Sequence, residues 1–300
     1  LVYMDGSTNS ISNETVVDGF IIEYSYSTND KGGGMYLVCG SSSNLTCFPT
    51  VRNCLFRYNT AAYGAGIRVQ NSSYKTGGPI IENCIFYSND ARQRGTISIM
   101  QCEGSITNCT IYRNYGKDAA ALHVYYANST ALTIRNCIIW KNYGHNGNTT
   151  HVNHALSRSG SNVPTIEYCL FESNHTYSSK TGCFYGQSPS FRDSAGGDLR
   201  LNYDSPAKNA GTSTGAPSND IEGLSRPIGS AMDIGAYEYR SLFVDHAATG
   251  SNDGTTWDDA YTSLQMALDS SGVGNKGNQI LVAEGTYKPA EAPSGSSQRD

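Results

Sequence analysis

Val51-Arg52-Asn53-Cys54-Leu55-Phe56-Arg57-Tyr58-Asn59 is the stretch that decides the fold, because its pattern occurs in five copies. Each copy has a β-branched apolar residue three positions before a cysteine, a large apolar residue two positions after it and an asparagine five positions after it. The cysteines are Cys54, Cys84, Cys109, Cys137 and Cys169, and the asparagines are Asn59, Asn89, Asn114, Asn142 and Asn174. Self-similarity at a period of roughly 20–50 residues predicts a solenoid or a similar array.

A degenerate copy, Val16-Val17-Asp18-Gly19, precedes the five, and Tyr24 takes the place of its asparagine. In the complete copies Cys54 and Phe56 share one face of a strand, because successive side chains of a strand alternate between faces. Val51 is three residues from Cys54 and can point to the same interior only if the chain bends near the Asn-Cys pair. The pattern therefore predicts strand, bend, strand.

A further strand follows glycine-rich turns such as Gly64-Ala65-Gly66, and it begins at Ile67, Ile97 and Leu122 in three of the copies. Residues 1–190 show no helical periodicity. The pattern predicts an all-β protein in which each repeat is one coil of a right-handed parallel β-helix over residues 1–190.

Adjacent coils of such a solenoid stack about 4.8 Å apart, so equivalent residues form columns along its axis. We expect the five cysteines to act as small buried apolar residues. The five asparagines are expected to pass side-chain amide hydrogen bonds from coil to coil. Both sets are predicted to be structural rather than catalytic.

Two short motifs resemble those of a known group of proteins. Phe56-Arg57-Tyr58-Asn59 and Phe86-Tyr87-Ser88-Asn89 match an FxxN repeat, and Gly33-Gly34-Met35-Tyr36 and Gly64-Ala65-Gly66-Ile67 are similar to its GGA(I/L/V) partner. These motifs are typical of the polymorphic outer-membrane-protein-like β-helices of the pectate-lyase-like superfamily. The resemblance implies a surface protein, often one associated with adhesion.

The repeat ends after Cys183. Residues 191–240, with Asp233-Ile234-Gly235-Ala236-Tyr237-Glu238-Tyr239, resemble the terminal segment of choice-of-anchor Q proteins and are expected to cap the solenoid. Residues 241–300 resemble the N-terminal cap and first strand of a following β-helix module, with an amphipathic helix over Trp257–Ser270 and a strand over Gln279–Ala283. We therefore expect a tandem protein with coils before residue 1 and after residue 300, whose modules run head to tail, as in a filament.

Composition narrows the functional class. Net charge is −5 and charged residues make up 16% of the chain, without a basic cluster, so nucleic acid is an unexpected partner. No apolar run approaches the roughly 18 residues that span a bilayer, so no membrane insertion is predicted. Abundant Gly, Ser, Thr and Asn favour an extracellular, cell-surface location. The expected partners are copies of the same chain and glycans or the surface of a host or neighbouring cell.

The remaining cysteines and the glycosylation sequons lead to further predictions. Cys39 and Cys47 bracket a short polar loop and are predicted to form a disulfide, whereas Cys183 is assigned to a second-strand position. Asn-x-Ser/Thr sequons in turns or loops predict a glycoprotein modified at Asn13, Asn44, Asn71, Asn128 and Asn148. The sequons at Asn108 and Asn174 lie in repeat columns and are expected to be shielded.

Catalytic patterns are weak. Glu82 and Glu167 occupy the same repeat position, but Arg52, Thr107 and Arg135 fill it in the other copies, so adjacent coils present no carboxylate pair. No cofactor is predicted; calcium at Asp245, Asn252 and Asp253, and a metal at His145, His151 and His154, are minor alternatives. We predict a non-enzymatic structural or adhesive protein. The alternatives are a polysaccharide-binding adhesin and a polysaccharide lyase or hydrolase whose active coils lie outside this fragment.

Overall fold

The structure, a computed structural model, describes residues 1–27, 32–39, 45–71, 77–117, 119–125, 132–145, 156–159, 164–173, 180–271 and 279–288. Its elements in chain order are β1 (Val2–Asp5), β2 (Val16–Asp18), β3 (Ile21–Glu23), β4 (Met35–Cys39), β5 (Thr50–Arg52), β6 (Leu55–Arg57), β7 (Thr60–Tyr63), β8 (Ile67–Asn71), β9 (Ile80–Glu82), β10 (Ile85–Tyr87), β11 (Asp90–Arg94), β12 (Ile97–Met100), β13 (Gly104–Thr107), β14 (Thr110–Tyr112), β15 (Tyr115–Gly116), β16 (Leu122–Tyr125), β17 (Leu132–Arg135), β18 (Ile138–Trp140), β19 (Tyr143–Gly144), β20 (Leu156–Ser159), β21 (Thr165–Glu167), β22 (Leu170–Phe171), β23 (Lys180–Thr181), β24 (Phe184–Tyr185), β25 (Phe191–Asp193), β26 (Asp198–Leu201), β27 (Ser241–Val244), α1 (Leu264–Ser270) and β28 (Gln279–Val282). The chain divides into two compact units, residues 1–238 and 239–300.

The first unit is a parallel β-helix. Strands β1–β24 form four stacks: sheet 1 (β1-β4-β8-β12-β16-β20), sheet 2 (β2-β5-β9-β13-β17-β21-β23), sheet 3 (β3-β6-β10-β14-β18-β22-β24) and sheet 4 (β7-β11-β15-β19). Strands β25 and β26 pair with each other in antiparallel orientation. Each of the six coils passes through sheets 1, 2 and 3 in this order, and the second to fifth coils then pass through sheet 4. The coils are β1–β3, β4–β7, β8–β11, β12–β15, β16–β19 and β20–β22, and β23–β24 begin a further short turn. The predicted fold class is confirmed.

A left-handed backbone residue makes the corner between sheets 2 and 3. Asn53, Asn83, Asn108 and Asn136 have φ values of 53°, 50°, 50° and 51°. Asparagine tolerates this conformation better than most residues. The corner explains how residues three apart, such as Ile81 and Cys84, both reach an interior where each is 0% exposed.

The interior is apolar and built from columns of like residues. Strand pairing is in register, with Val51 opposite Ile81 and Phe56 opposite Phe86, so each coil adds one residue to each column. The rings of Phe56 and Phe86 stack with centroids 4.9 Å apart. This close packing of apolar side chains is the main stabilising contribution to the solenoid.

The register corrects the alignment of the degenerate first copy. Val17, not Val16, lies opposite Val51. Ser25, rather than Tyr24, takes the place of the asparagine, because the Ser25 backbone N–H donates to Asn59 Oδ1 at 3.0 Å. The first coil therefore contributes no amide side chain to the asparagine column.

In residues 239–300, β27 and β28 pair in parallel and pack against α1. The helix begins at Leu264, so the prediction of a helix from Trp257 is wrong in its first half. Asp259 is the reason, because its carboxylate accepts from the Ser251 backbone N–H at 2.8 Å and from the Thr256 hydroxyl at 2.9 Å. Such local side-chain bonds compete with helical backbone bonding. That this unit begins a second β-helix module stays a prediction.

Candidate functional site: a polar cleft beside the asparagine corner

The asparagine ladder (Asn59, Asn89, Asn114 and Asn142) joins four consecutive coils. The backbone N–H and Nδ2 of Asn59 both donate to Asn89 Oδ1, at 3.1 and 3.0 Å. Asn89 makes the same pair of bonds to Asn114 at 2.9 and 3.0 Å, and Asn114 to Asn142 at 3.1 and 2.9 Å. These amides satisfy buried backbone groups at a corner where the strand ladder is interrupted. Asn174 lies outside the described residues.

The thiols of Cys54, Cys84, Cys109, Cys137 and Cys169 form one column, and all five are 0% exposed. Cys84 shows the common geometry, with Sγ 3.3 Å from the Glu82 carbonyl oxygen and 3.6 Å from that of Val51. Burial raises the pKa of Cys109 and Cys169 well above the ordinary value, so these thiols stay protonated. The column is a packing element, with weak S–H donors facing carbonyl oxygens.

Cys183 is a sixth member of this column, which corrects its assignment to a second strand. Ile166 pairs with Lys180 and Leu170 with Phe184, so Cys183 lies opposite Cys169. The Cys183 thiol is half-buried, and a hydrogen bond from Cys169 lowers its pKa to about 7. The spacing between Cys169 and Cys183 is much shorter than between the other cysteines of the column, so the sequence repeat was not recognised there. Thr181-Gly182-Cys183-Phe184 nevertheless has a corner glycine and a cysteine in the positions of the repeat.

Cys39 and Cys47 are buried, and their side chains contact each other. The Cys47 thiol is the main cause of a raised pKa at Cys39, through a hydrogen bond between the two side chains. The disulfide predicted between them stays a prediction.

The flank segment (residues 191–238) packs against the corner asparagines (Asn53, Asn83, Asn108 and Asn136). Asn83 Nδ2 donates to the Asn219 carbonyl oxygen at 2.7 Å, and Asn108 Nδ2 to that of Asp233 at 3.1 Å. These contacts place the segment along the side of the third to fifth coils, whereas the sequence led us to expect a cap over the end of the solenoid. Gly235 allows the close approach, because a Cβ there would lie 2.7 Å from the Ile138 side chain.

A fully buried ion pair fastens the flank segment. The side chains of Arg226 and Glu238 are both 0% exposed and lie 2.5 Å apart. Arg226 Nη2 also donates to the Gly235 carbonyl oxygen at 3.0 Å, and the Asp233 backbone N–H donates to Glu238 Oε1 at 2.8 Å. A buried pair of this kind persists only where surrounding hydrogen bonds offset the loss of hydration.

The candidate site is a cleft of about 400 Å³ between the flank segment and the corner of the second and third coils. Its lining residues are Arg52, Asn53, Glu82, Asn83, Pro217, Ser218, Asn219, Asp220 and Gly223. Sequence reasoning missed this site, because the two walls are more than 130 residues apart in the chain. The only local signal was the alternation of acid and base in one repeat position, at Asp18, Arg52 and Glu82.

Charges in the cleft are unevenly paired. Arg52 Nε donates to Asp18 Oδ2 at 2.8 Å, and both side chains are well exposed. Glu82 lies one coil further on and is half-buried, and its side-chain carboxylate makes no hydrogen bond or ion pair with any described residue. Burial raises the pKa of Glu82 above its ordinary value, and the nearby Arg52 guanidinium offsets this in part.

Two of the predicted glycosylation sites are described. Asn71 is buried at the end of β8, and its Nδ2 donates to the Met100 carbonyl oxygen at 2.9 Å, so the prediction of a loop asparagine open to modification is wrong. Asn13 is exposed, but its Nδ2 donates to Phe48 O at 2.7 Å and to Gly78 O at 3.2 Å. Asn44, Asn128 and Asn148 lie outside the described residues. Asn108 is buried in the corner, as expected from its column.

Those residues considered for metal binding that the structure describes have other partners. His145 Nε2 lies 2.6 Å from Asp90 Oδ1, while His151 and His154 lie outside the described residues. Asn252 Oδ1 accepts from the Thr262 backbone N–H at 2.8 Å, and Asp253 Oδ1 from the Thr255 hydroxyl at 2.6 Å. Among the described residues, no three His, Cys, Asp or Glu side chains come together as a metal site.

Glu82 and Glu167 are far apart. Strand pairing places Glu82, Thr107, Arg135 and Glu167 on four successive coils of one column. At about 4.8 Å per coil the two acids are roughly 14 Å apart. The paired carboxylates of glycosidases lie about 5–9.5 Å apart, so these two acids do not form such a pair.

Comparison with models of protein families gives a match to the right handed beta helix region over residues 37–194, more than half of the chain. No curated protein and no solved structure matches the chain significantly. The described residues contain no helix long enough to cross a membrane. The family includes pectate lyases as well as proteins without enzymatic activity. Together, the match and the stacked parallel sheets show that this chain belongs to the right-handed β-helix family.

Proposed function

We propose that the chain is a non-enzymatic, extracellular structural or adhesive protein, a tandem module of a larger surface protein that assembles head to tail. The first coil supports this proposal. Among the described residues β1, β2 and β3 each lie at the end of a sheet, so they present three neighbouring strand edges with which a further coil can pair.

The exposed surface of the first coil is rich in apolar side chains. Phe20, Ile21 and Tyr24 are 59%, 61% and 69% exposed. Other large exposed side chains of this coil are Leu1, Tyr3, Val16 and Tyr26. Natural sheet edges are commonly protected by lysine, proline or a covering element. Residues 1–27 contain no lysine, arginine or proline.

A coil laid on this edge in register would pair the open backbone groups and bury the exposed side chains. The ladders inside the first unit show that the repeat tolerates such stacking, because in sheets 1, 2 and 3 every strand of the second to fifth coils is paired on both sides. The finer resemblance, to polymorphic outer-membrane-protein-like and choice-of-anchor proteins, is part of this proposal and supports a location on the cell surface.

Sedimentation velocity and electron microscopy of the purified chain test the assembly. We expect concentration-dependent rods, and we expect the double variant Phe20→Lys with Ile21→Lys to remain monomeric, because two lysines oppose edge pairing. Tyr203→Lys is the matched control, since Tyr203 is a large exposed side chain on the flank segment. A monomeric wild type at high concentration, or equal loss of assembly in the control, would refute the proposal.

The absence of enzymatic activity is tested separately. Polyuronates and neutral polysaccharides incubated with the chain should yield no unsaturated products and no new reducing ends. Turnover that depends on residues of this chain would refute the non-enzymatic assignment.

A second candidate function, a polysaccharide-binding adhesin, is favoured by the cleft beside Glu82. The third alternative, a lyase or hydrolase with active coils elsewhere, has no specific support among the described residues.

A further inference from the structure

Most polar groups in the walls of the cleft are already occupied. Asn83 Nδ2 donates to Asn53 Oδ1 at 3.2 Å and to the Asn219 carbonyl oxygen at 2.7 Å. Asp220 Oδ1 accepts from the backbone N–H groups of Glu222 and Leu224, both at 2.9 Å. These residues shape the cleft, and they have little hydrogen-bonding capacity left for a ligand.

Two groups in the cleft retain that capacity. Arg52 uses Nε for Asp18, and its two terminal nitrogens make no hydrogen bond with described residues. Glu82 contributes a carboxylate without a hydrogen-bonding partner among them. A strong donor and a strong acceptor therefore lie on adjacent coils, about 4.8 Å apart along the axis.

The charge balance restricts the class of ligand. Asp18, Arg52, Glu82 and Asp220 together carry three negative charges and one positive charge, and the Asp220 carboxylate already accepts hydrogen bonds from backbone N–H groups. An anionic ligand would meet excess negative charge, and a lone cation would meet the guanidinium. A hydroxyl group, by contrast, both donates and accepts, and vicinal hydroxyls can bond the carboxylate and the guanidinium together.

We propose that this cleft binds a neutral saccharide, with Glu82 and the terminal nitrogens of Arg52 bonding adjacent hydroxyl groups. The volume of about 400 Å³ lies within the range of small-ligand sites, roughly 300–1,000 Å³. This inference deepens the polysaccharide-binding candidate and does not depend on end-to-end assembly.

The state of Glu82 in the free protein supports this assignment. A half-buried carboxylate without a hydrogen-bonding partner costs free energy, and burial raises its pKa accordingly. A ligand that donates hydrogen bonds to this carboxylate would remove part of that free-energy cost, and this contributes favourably to the free energy of binding.

The test is titration of the whole chain, followed by NMR, with five neutral tetrasaccharides: cellotetraose, maltotetraose, mannotetraose, xylotetraose and chitotetraose. At least one should bind, shifting the side-chain amide signals of Asn53, Asn83 or Asn219. Glu82→Ala should weaken that binding at least tenfold, and Glu82→Gln should weaken it less. Glu167→Ala is the matched control, because Glu167 occupies the same column but lies outside the cleft, and it should change affinity less than twofold.

Several results would overturn the proposal. These are no signal shift with any of the five sugars, binding that survives Glu82→Ala, tighter binding of trigalacturonate than of the neutral sugars, or a response to calcium chloride alone at these residues. Circular dichroism checks that each variant is folded. Sedimentation of Glu82→Ala separates the two proposals, since its assembly should match that of the wild type.

Discussion

Asn89 offers the sharpest test of how the coils are held together. Its Oδ1 accepts from the backbone N–H and from Nδ2 of Asn59, at 3.1 and 3.0 Å, and its Nδ2 donates to Phe56 O at 2.9 Å and to Asn114 Oδ1 at 3.0 Å. Asn89→Ala removes all four bonds from a side chain that is 0% exposed.

The expected loss of stability depends on which buried groups lose their hydrogen-bonding partner. The Asn59 backbone N–H loses its partner and is buried, which costs about 1–3 kcal/mol, and each of the other three bonds contributes roughly 1 kcal/mol. We therefore expect Asn89→Ala to lower the free energy of unfolding by about 5 kcal/mol. This is a large part of the roughly 5–15 kcal/mol typical of a folded domain.

Urea denaturation followed by circular dichroism measures this loss as a change in midpoint at constant slope. Ser25→Ala is the matched control, because Ser25 has the same position in the first coil but bonds through its backbone, and it should change stability by less than about 0.5 kcal/mol. A loss in Asn89→Ala no larger than that of the control would refute the ladder as a stabilising element.

Asn89→Asp extends the test through pH. The carboxylate keeps the acceptor that Asn59 needs, but it faces the Phe56 carbonyl oxygen and must be protonated to donate there. Burial should raise the pKa of the introduced carboxyl group, so the folded state would bind a proton more tightly than the unfolded state. Stability should therefore rise as pH falls towards 4, and a pH-independent loss would contradict an inward-facing side chain.

Three further predictions concern groups outside the ladder. Burial raises the pKa of Glu82 above its ordinary value of 4.5, so the stability of the folded protein falls as the pH rises through the folded-state pKa. The Glu82→Gln variant should therefore have a melting temperature at or above that of the wild type at pH 7. The difference in melting temperature should be smaller at pH 4. Ellman's reagent should modify Cys183 first in the folded protein, because its thiol is half-buried with a pKa of about 7, and Cys183→Ser should remove this fast phase. Arg226→Met leaves Glu238 buried without its counter-charge, and it should lower the free energy of unfolding by about 3–5 kcal/mol in urea denaturation. If adding Glu238→Gln to this variant restores none of the lost stability, the ion-pair explanation fails.

The repeat was readable from the sequence because its columns depend on local rules. Alternation along a strand, with one bend at Asn-Cys, puts Ile81, Cys84 and Phe86 into the core, and the structure places all three there. The helix from Trp257 was predicted incorrectly at its start, because apolar spacing does not reveal that Asp259 is engaged in turn hydrogen bonds. The place of Cys183 in the cysteine column was not predicted, because the repeats were identified by their spacing and Cys183 follows Cys169 after an unusually short turn.

The amino-acid order alone was enough to determine the solenoid, the register of its five complete repeats and its interior, since each of these coils repeats the same side-chain directions and stacks on the one before it. Tertiary structure alone decided where the flank segment lies, and with it the cleft. Asn83 meets Asn219, and Asn108 meets Asp233, across more than 120 intervening residues. Contacts at such separation leave no periodic trace in the chain, because they depend on shape and hydrogen-bonding fit between surfaces that exist only after the coils have stacked.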